Sequence, residues 1–195
     1  MLKVGITGGI GTGKSTVSQM FAAKGIAVYD SDLRAKTIML DNEQLVGELK
    51  NEFGEKVYVN GQLNRSFLAK IVFDSKNKLA KLNSIVHPHV ANDFSSWLLN
   101  QNSKFILKEA AILFESGAYL AVDKVVLVTC PLSIRIDRVS KRDGISEKDI
   151  MKRVNNQMQE KEKAILSDFV IDNKYSLESL QKQVDDVYLK LMELV

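Results

Sequence analysis

The chain has 195 residues, 45% of them hydrophobic and 26% charged, with a formal net charge of +3. Those proportions exclude a disordered chain and suit a globular protein with a real core, and so small a charge excess does not call for nucleic acid. The one cysteine, Cys130, reads as a buried residue at a strand end, rules out a disulfide framework within one chain and points to a reducing compartment. No apolar run approaches the ~20 residues that span a bilayer, and the first residues already read as a strand rather than a secretion signal. A cytoplasmic protein that engages neither membrane nor nucleic acid is expected.

The first element is an apolar strand over residues 2–7. It runs into Gly8-Gly9-Ile10-Gly11-Thr12-Gly13-Lys14-Ser15, which fits G-x-x-x-x-G-K-[ST] in the strand–loop–helix setting that this phosphate-binding loop requires. Glycines let the chain wrap closely, and successive backbone N–H groups at a helix N-terminus then face an anion. Gly11, Thr12, Gly13, Lys14, Ser15 and Thr16 are the candidate contacts to the phosphates of a nucleotide, with Lys14 reaching the β- and γ-phosphates and the Ser15 hydroxyl on magnesium. A helix follows over 15–24, then a strand over 27–29.

Asp30-Ser31-Asp32 stands at the end of that second strand, where open α/β sheets bind ligands. One acid can orient magnesium or the helix start while the other accepts a proton from an attacking hydroxyl. The alternative is that Asp30 or Ser31 merely caps the helix over 32–40. The interval from 41 to 103 is too long for one crossover. Leu45, Leu49 and Phe53 suggest one helix, Phe67, Leu68, Ile71 and Val72 a second, and Leu79, Leu82, Ile85 and Val86 a third within a helical pattern over 77–100. This is an inserted helical cap of the kind that grips a phosphate acceptor. Arg65 opens one of its helices. In His87-Pro88-His89 the two histidines do not share a helix face, which speaks against a zinc pair, and Pro88 is expected to break or kink the helix.

A third strand over 105–107 leads to Glu109, a candidate magnesium-orienting acid, and to Glu115, a loop or helix acid. A fourth strand over 124–129 precedes a helix over 132–140, where Arg135, Arg138 and Arg142 recur on one face. Such a stripe is either solvated or a lid whose guanidinium groups close on phosphates. A helix over 146–164, an edge strand over 169–171 ended by Asp172-Asn173, and a helix over 176–194 complete the chain. Asp172-Asn173 serves either as a turn or near the adenine. The alternation predicts a three-layer α/β fold with right-handed crossovers.

Taken in order, these motifs resemble the dephospho-coenzyme A kinase family. The loop from Thr7 to Ser15, Asp30-Ser31-Asp32, Asn64-Arg65, Val72-Phe73, Leu82-Asn83-Ser84-Ile85-Val86-His87-Pro88, Ile112-Leu113-Phe114-Glu115, Arg138 with Arg142-Asp143, and Asp168-Phe169-Val170-Ile171-Asp172-Asn173 carry the likeness. The chain departs from the family pattern at Ala111, where proline is frequent, and at Lys174-Tyr175, where glycine is frequent after the Asp-Asn pair.

The resemblance implies a P-loop NTPase fold: a five-stranded parallel sheet of order 2-3-1-4-5 with a helical substrate-binding insert and a lid. One kinase domain is expected, its core about 1–40 and 104–195, its insert about 41–103 and its lid about 138–160. The implied reaction moves the ATP γ-phosphoryl group to the ribose 3′-hydroxyl of dephospho-coenzyme A, with Mg2+ as cofactor. The catalytic residues would be Asp32, Lys14 and Arg138. Asp30, Asp32, Arg65 and His87 would bind the acceptor, and Arg138 and Arg142 would close on ATP. The alternative is another small-molecule P-loop kinase with a nucleotide or sugar-acid acceptor. A guanine-nucleotide switch is disfavoured because Asn173-Lys174-Tyr175-Ser176 lacks the acid that binds the guanine edge. Oligomeric state is left open, a monomer being the simplest form.

Overall fold

A computed structural model describes the chain from Met1 to Val195 apart from Asp74 and the side chains of Phe73 and Lys76. The Phe73 side chain of the Val72-Phe73 match therefore lies outside the described residues. The chain divides into two compact units, Met1–Asp30 with Gln101–Val195, and Ser31–Asn100.

The first unit opens with β1 (Leu2–Thr7), α1 (Lys14–Ala22) and β2 (Ala27–Asp30). The second holds α2 (Ser31–Asp41), α3 (Glu43–Phe53), β3 (Tyr58–Val59), β4 (Gln62–Leu63), α4 (Arg65–Phe73) and α5 (Lys76–Leu98). The first then resumes with β5 (Phe105–Glu109), β6 (Lys124–Thr129), α6 (Leu132–Asp143), α7 (Glu147–Asn155), α8 (Glu160–Ile165), β7 (Phe169–Asp172) and α9 (Leu177–Met192).

Five strands form one sheet in the order β2-β5-β1-β6-β7, every neighbouring pair parallel. Counted along the chain, that is the expected order 2-3-1-4-5. All of β5 is buried, as suits a strand covered on both faces. On one face Val4, Ile6, Phe105, Leu107, Val126 and Val128 pack with Val17 and Phe21 of α1 and with Leu180, Val184, Val187 and Leu191 of α9. Phe105 stands edge-on to Phe21 at 6.3 Å between centroids and tilts against Tyr188 at 6.0 Å. On the other face Leu113 crosses β1 so closely at Gly5 that a Cβ there would lie 2.6 Å from Leu113 Cδ2. Ala110, Phe114 and Val125 join Leu113 in this smaller cluster.

In the second unit, which starts at Ser31, α5 packs against α2, α3 and α4. Ile38, Leu45, Leu49, Val57, Tyr58, Leu68, Val72, Val86, Val90 and Phe94 are its described buried apolar residues. Asn42 caps α3 by accepting from Leu45 N–H at 2.9 Å, and Asn64 accepts from Phe67 N–H at 3.2 Å at the start of α4. Two features differ from expectation. β3 and β4 form a small hairpin across Asn60-Gly61, both with positive φ, 52° and 74°. That geometry is the tight-turn signature of an Asn-Gly pair. Pro88 also sits inside a continuous α5 and does not break it. The proline removes the N–H that Ser84 C=O would accept, but both residues are exposed, where water can serve that carbonyl.

The helix expected over 146–164 is two helices, α7 and α8. Between them Met158 N–H donates to Glu115 Oε1 at 2.8 Å, and Gln159 with Glu162 forms a capping box that starts α8. Tertiary and capping acceptors thus replace the helical ladder. No helix of the described residues is long and apolar enough to cross a membrane.

Phe105→Ala should empty the site between Phe21 and Tyr188 and cost about 3–5 kcal/mol of stability, the range for deleting a buried aromatic. Denaturant titration checks this, and a loss below about 1 kcal/mol would mean that Phe105 is not a centre of the core.

Candidate active site

β1 ends at Thr7 and α1 begins at Lys14, so the glycine-rich loop lies at the carboxyl end of the central strand. The first N–H groups of α1 lack carbonyls one turn back, which leaves them for an anion. Gly13 is the N-cap of α1, in the left-handed region at φ 89°. A side chain there would be strained, and its Cβ would lie 2.1 Å from Asn173 Nδ2. Lys14 Nζ lies back over the loop and donates to Gly8 O at 3.0 Å and Gly9 O at 3.4 Å. The hydroxyl of fully buried Thr12 donates to Gly9 O at 2.9 Å, and its N–H reaches the same oxygen at 3.3 Å. Thr12 thus braces the loop from within. Thr16 follows on α1, half-buried.

Neighbouring strand ends bring acids to this edge. Glu109 is in register with Ile6 on one side and with Asp30 on the other. Ser15 Oγ donates to Glu109 Oε1 at 2.8 Å, and Glu109 is only 5% exposed. A hydroxyl beside a carboxylate is a hard oxygen pair, the donor type that magnesium takes together with substrate phosphates and water. Among the described residues no group of three or more His, Cys, Asp or Glu gathers to hold a metal by itself. The Ser15 hydroxyl and the Glu109 carboxylate are of the donor type that fits magnesium carried with a nucleotide.

The arginines of α6 share a face but not a fate. Arg135 is buried, its Nε donating to Ile10 O at 2.8 Å and its Nη1 lying 3.7 Å from Glu160 Oε2. Its guanidinium fills the space beside Gly9, where a Cβ would meet Nη2 at 2.3 Å. Burial lowers its pKa, and the Glu160 charge opposes that shift. Arg138 donates to Asn173 O at 3.2 Å and lies 3.5 Å from Cys130 Sγ. Burial pushes the Cys130 thiol up, while Arg138 and then Arg135 pull it back. Arg142 is exposed and forks onto Asp143 at 2.7 and 2.9 Å, a bond that raises its pKa.

Asn173 buttresses the loop. It is 6% exposed, its Nδ2 donates to Thr12 O at 2.8 Å, and its N–H bonds Thr129 O at 2.8 Å. Asp172 instead pairs with Lys174 at 2.7 Å. Sequence reasoning missed two further groups. Gln157 accepts from Ile10 N–H at 3.0 Å. Lys163, 1% exposed, pairs with Glu115 at 2.9 Å and donates to Ala111 O at 3.2 Å. Glu115 is thus a brace for the loop after β5.

In the second unit, Asp32 lies exposed in the first turn of α2, Arg65 is the exposed first residue of α4, and His87 is half-buried within α5. His89 pairs with Glu48 at 3.2 Å, a contact that lowers the Glu48 pKa after that of Gln44.

A family model described as dephospho-CoA kinase (CoaE) matches residues 2–179. A dephospho-CoA kinase of Bacteroides fragilis is 39% identical over 173 residues, 88% of this chain and 84% of its relative. The crystal structure of TT1252 from Thermus thermophilus superposes with a TM-score of 0.84 at 33% identity, covering 97% of each chain. A solved dephospho-CoA kinase from Campylobacter jejuni gives 0.70 at 25% identity, over 97% of this chain and 96% of that one.

Gly13→Ala should combine the left-handed strain with the collision at Asn173, costing about 1–3 kcal/mol of stability and most of the nucleotide affinity. Thermal unfolding and nucleotide binding measured together check it; native values for both would show that the loop tolerates a side chain at Gly13.

Proposed function

We propose, for this chain, which belongs to the dephospho-CoA kinase family, that it transfers the γ-phosphoryl group of ATP to the ribose 3′-hydroxyl of dephospho-coenzyme A, giving coenzyme A and ADP. This is the last step of coenzyme A synthesis. The observation that carries the reading is the loop from Gly8 to Ser15, with Glu109 against the Ser15 hydroxyl and the arginines of α6 on the same unit.

The transfer forms an O–P bond at the 3′-oxygen and breaks the bond between the γ-phosphorus and the bridging oxygen, which leaves with ADP. The hydroxyl proton must go to a base. We assign that proton to Asp32, two residues past the end of β2, with Asp30 in support. The assignment follows the family's acid pair. Loop amides, with Thr16 at the start of α1, and the Lys14 ammonium bind the β- and γ-phosphates. Ser15 Oγ, with Glu109 beside it, would hold magnesium, whose charge offsets that of the phosphates when bound. Arg138 and Arg142 close on the phosphates from the α6 end of a lid of about residues 138–160, neutralising charge on the transferring group and excluding water, while the far end of that segment stays anchored through Gln157 and Met158. In the second unit Arg65 and His87 bind the acceptor. The cytoplasm, where ATP and a reduced cysteine coexist, is the compartment this reading assigns.

The direct test is ATP-dependent phosphorylation of dephospho-coenzyme A by the purified protein, with a panel of nucleotide and sugar-acid acceptors alongside. Preference for a different acceptor would overturn the substrate. Asp32→Asn should keep ATP affinity and lose turnover by about 10²-fold or more, the scale for a positioned base. Unchanged turnover in the folded variant removes Asp32 from the mechanism. Arg138→Ala should reduce phosphoryl transfer while dephospho-coenzyme A still binds, and a variant that loses only thermal stability would make the stripe structural.

A further inference from the structure

Ile10, in the middle of the loop, is held on both backbone polar groups by side chains from elsewhere in the same unit. Its carbonyl accepts Arg135 Nε at 2.8 Å, and its N–H donates to Gln157 Oε1 at 3.0 Å. The other end of the same amide, Gln157 Nε2, faces the Ala111 carbonyl at 3.5 Å. Ala111 lies two residues past Glu109, the acid against Ser15. One side chain therefore touches both loops that leave the carboxyl ends of β1 and β5.

The mount of Gln157 is itself fixed. It lies in the break between α7 and α8, next to Met158, whose N–H is held by Glu115, and Glu115 in turn pairs with buried Lys163. Lys163 Nζ also donates to Ala111 O at 3.2 Å, so the carbonyl that faces Gln157 is anchored from a second direction. The amide is suited to this place because it carries both an acceptor oxygen and a donor NH2 group, and each has a partner here. A carboxylate of the same shape could still accept from Ile10 N–H, but it could not donate to Ala111 O and would add negative charge to a loop that binds a polyanion. An apolar side chain would hold neither.

We propose that Gln157 is a positioning residue for ATP: it holds the phosphate loop at Ile10 and joins that loop to the strand end carrying Glu109. The proposal rests on the reading of the loop as the ATP site. A loop left to order itself on binding loses affinity for the nucleotide, whereas the acceptor and the chemical step at saturation are spared.

The test compares Gln157→Met and Gln157→Glu with the unsubstituted protein. ATP dissociation constants come from calorimetry; kcat and KM for each substrate are measured with the thermal midpoint. The expected result is an ATP dissociation constant and KM raised about tenfold, with a larger rise for Gln157→Glu, and with kcat and the KM for dephospho-coenzyme A within about twofold. A merely structural residue would lower the midpoint and the active fraction while leaving ATP affinity unmoved. That result, or native ATP affinity in a folded variant, overturns the proposal. Should Gln157→Met fail to fold, Gln157→Glu decides alone, and failure of both to fold makes the residue structural and ends the proposal. If the unsubstituted protein binds ATP but does not phosphorylate dephospho-coenzyme A, the reaction assignment fails while the ATP comparison still decides the role of Gln157.

Discussion

Backbone N–H groups grip a phosphate only if helix and sheet ladders leave them free, and a segment without a ladder has to be held by other means. Here side chains hold it by its carbonyls. Gly8 O accepts Lys14, Gly9 O accepts Thr12, Ile10 O accepts Arg135, and Thr12 O accepts Asn173. Those donors come from α1, the loop itself, α6 and the turn after β7. The loop's shape is thus distributed over half the first unit, and the parallel sheet is what brings those elements to one edge.

The same edge explains where the acids lie. Parallel strands all point one way, so Asp30 and Glu109 in register on β2 and β5 arrive together beside the loop that leaves β1. Burial of Glu109 would be costly for a lone carboxylate, and the Ser15 hydroxyl supplies it with a donor. The second unit departs from this edge at Ser31, so its first helix carries Asp32 within two residues of a strand end.

What the sequence made legible is what repeats or has a fixed spacing. The G-x-x-x-x-G-K-S loop, the apolar strands and the amphipathic α9 all appear where their patterns place them, within a few residues. Contacts between distant segments left no such trace. Lys163 lies in Glu160-Lys161-Glu162-Lys163, which reads as a solvated helix face, yet it is among the most buried side chains. Gln157 belongs to no periodic pattern, since its role depends on a backbone N–H 147 residues away. The arginine stripe was visible as a face, but the depth of Arg135 and the exposure of Arg142 depend on what lies against α6. The hairpin at Asn60-Gly61 did have a local signal; its strands, two residues each, were too short for an alternation to show. At Pro88 the break that a local rule allows does not occur, because that rule does not see which face is wet.

The ion pair between Glu115 and Lys163 has a consequence for how this chain can vary over evolutionary time. Its lysine is 2% exposed at the side chain and its acid 20%. Removing either partner strands a charge away from water, which is far worse than removing both. The two positions, on opposite sides of β6 in the chain, therefore form one heritable character rather than two. Relatives that lack a base at the position of Lys163 should also lack the acid at the position of Glu115, and a folded relative that keeps the acid with no cation beside it would contradict that linkage.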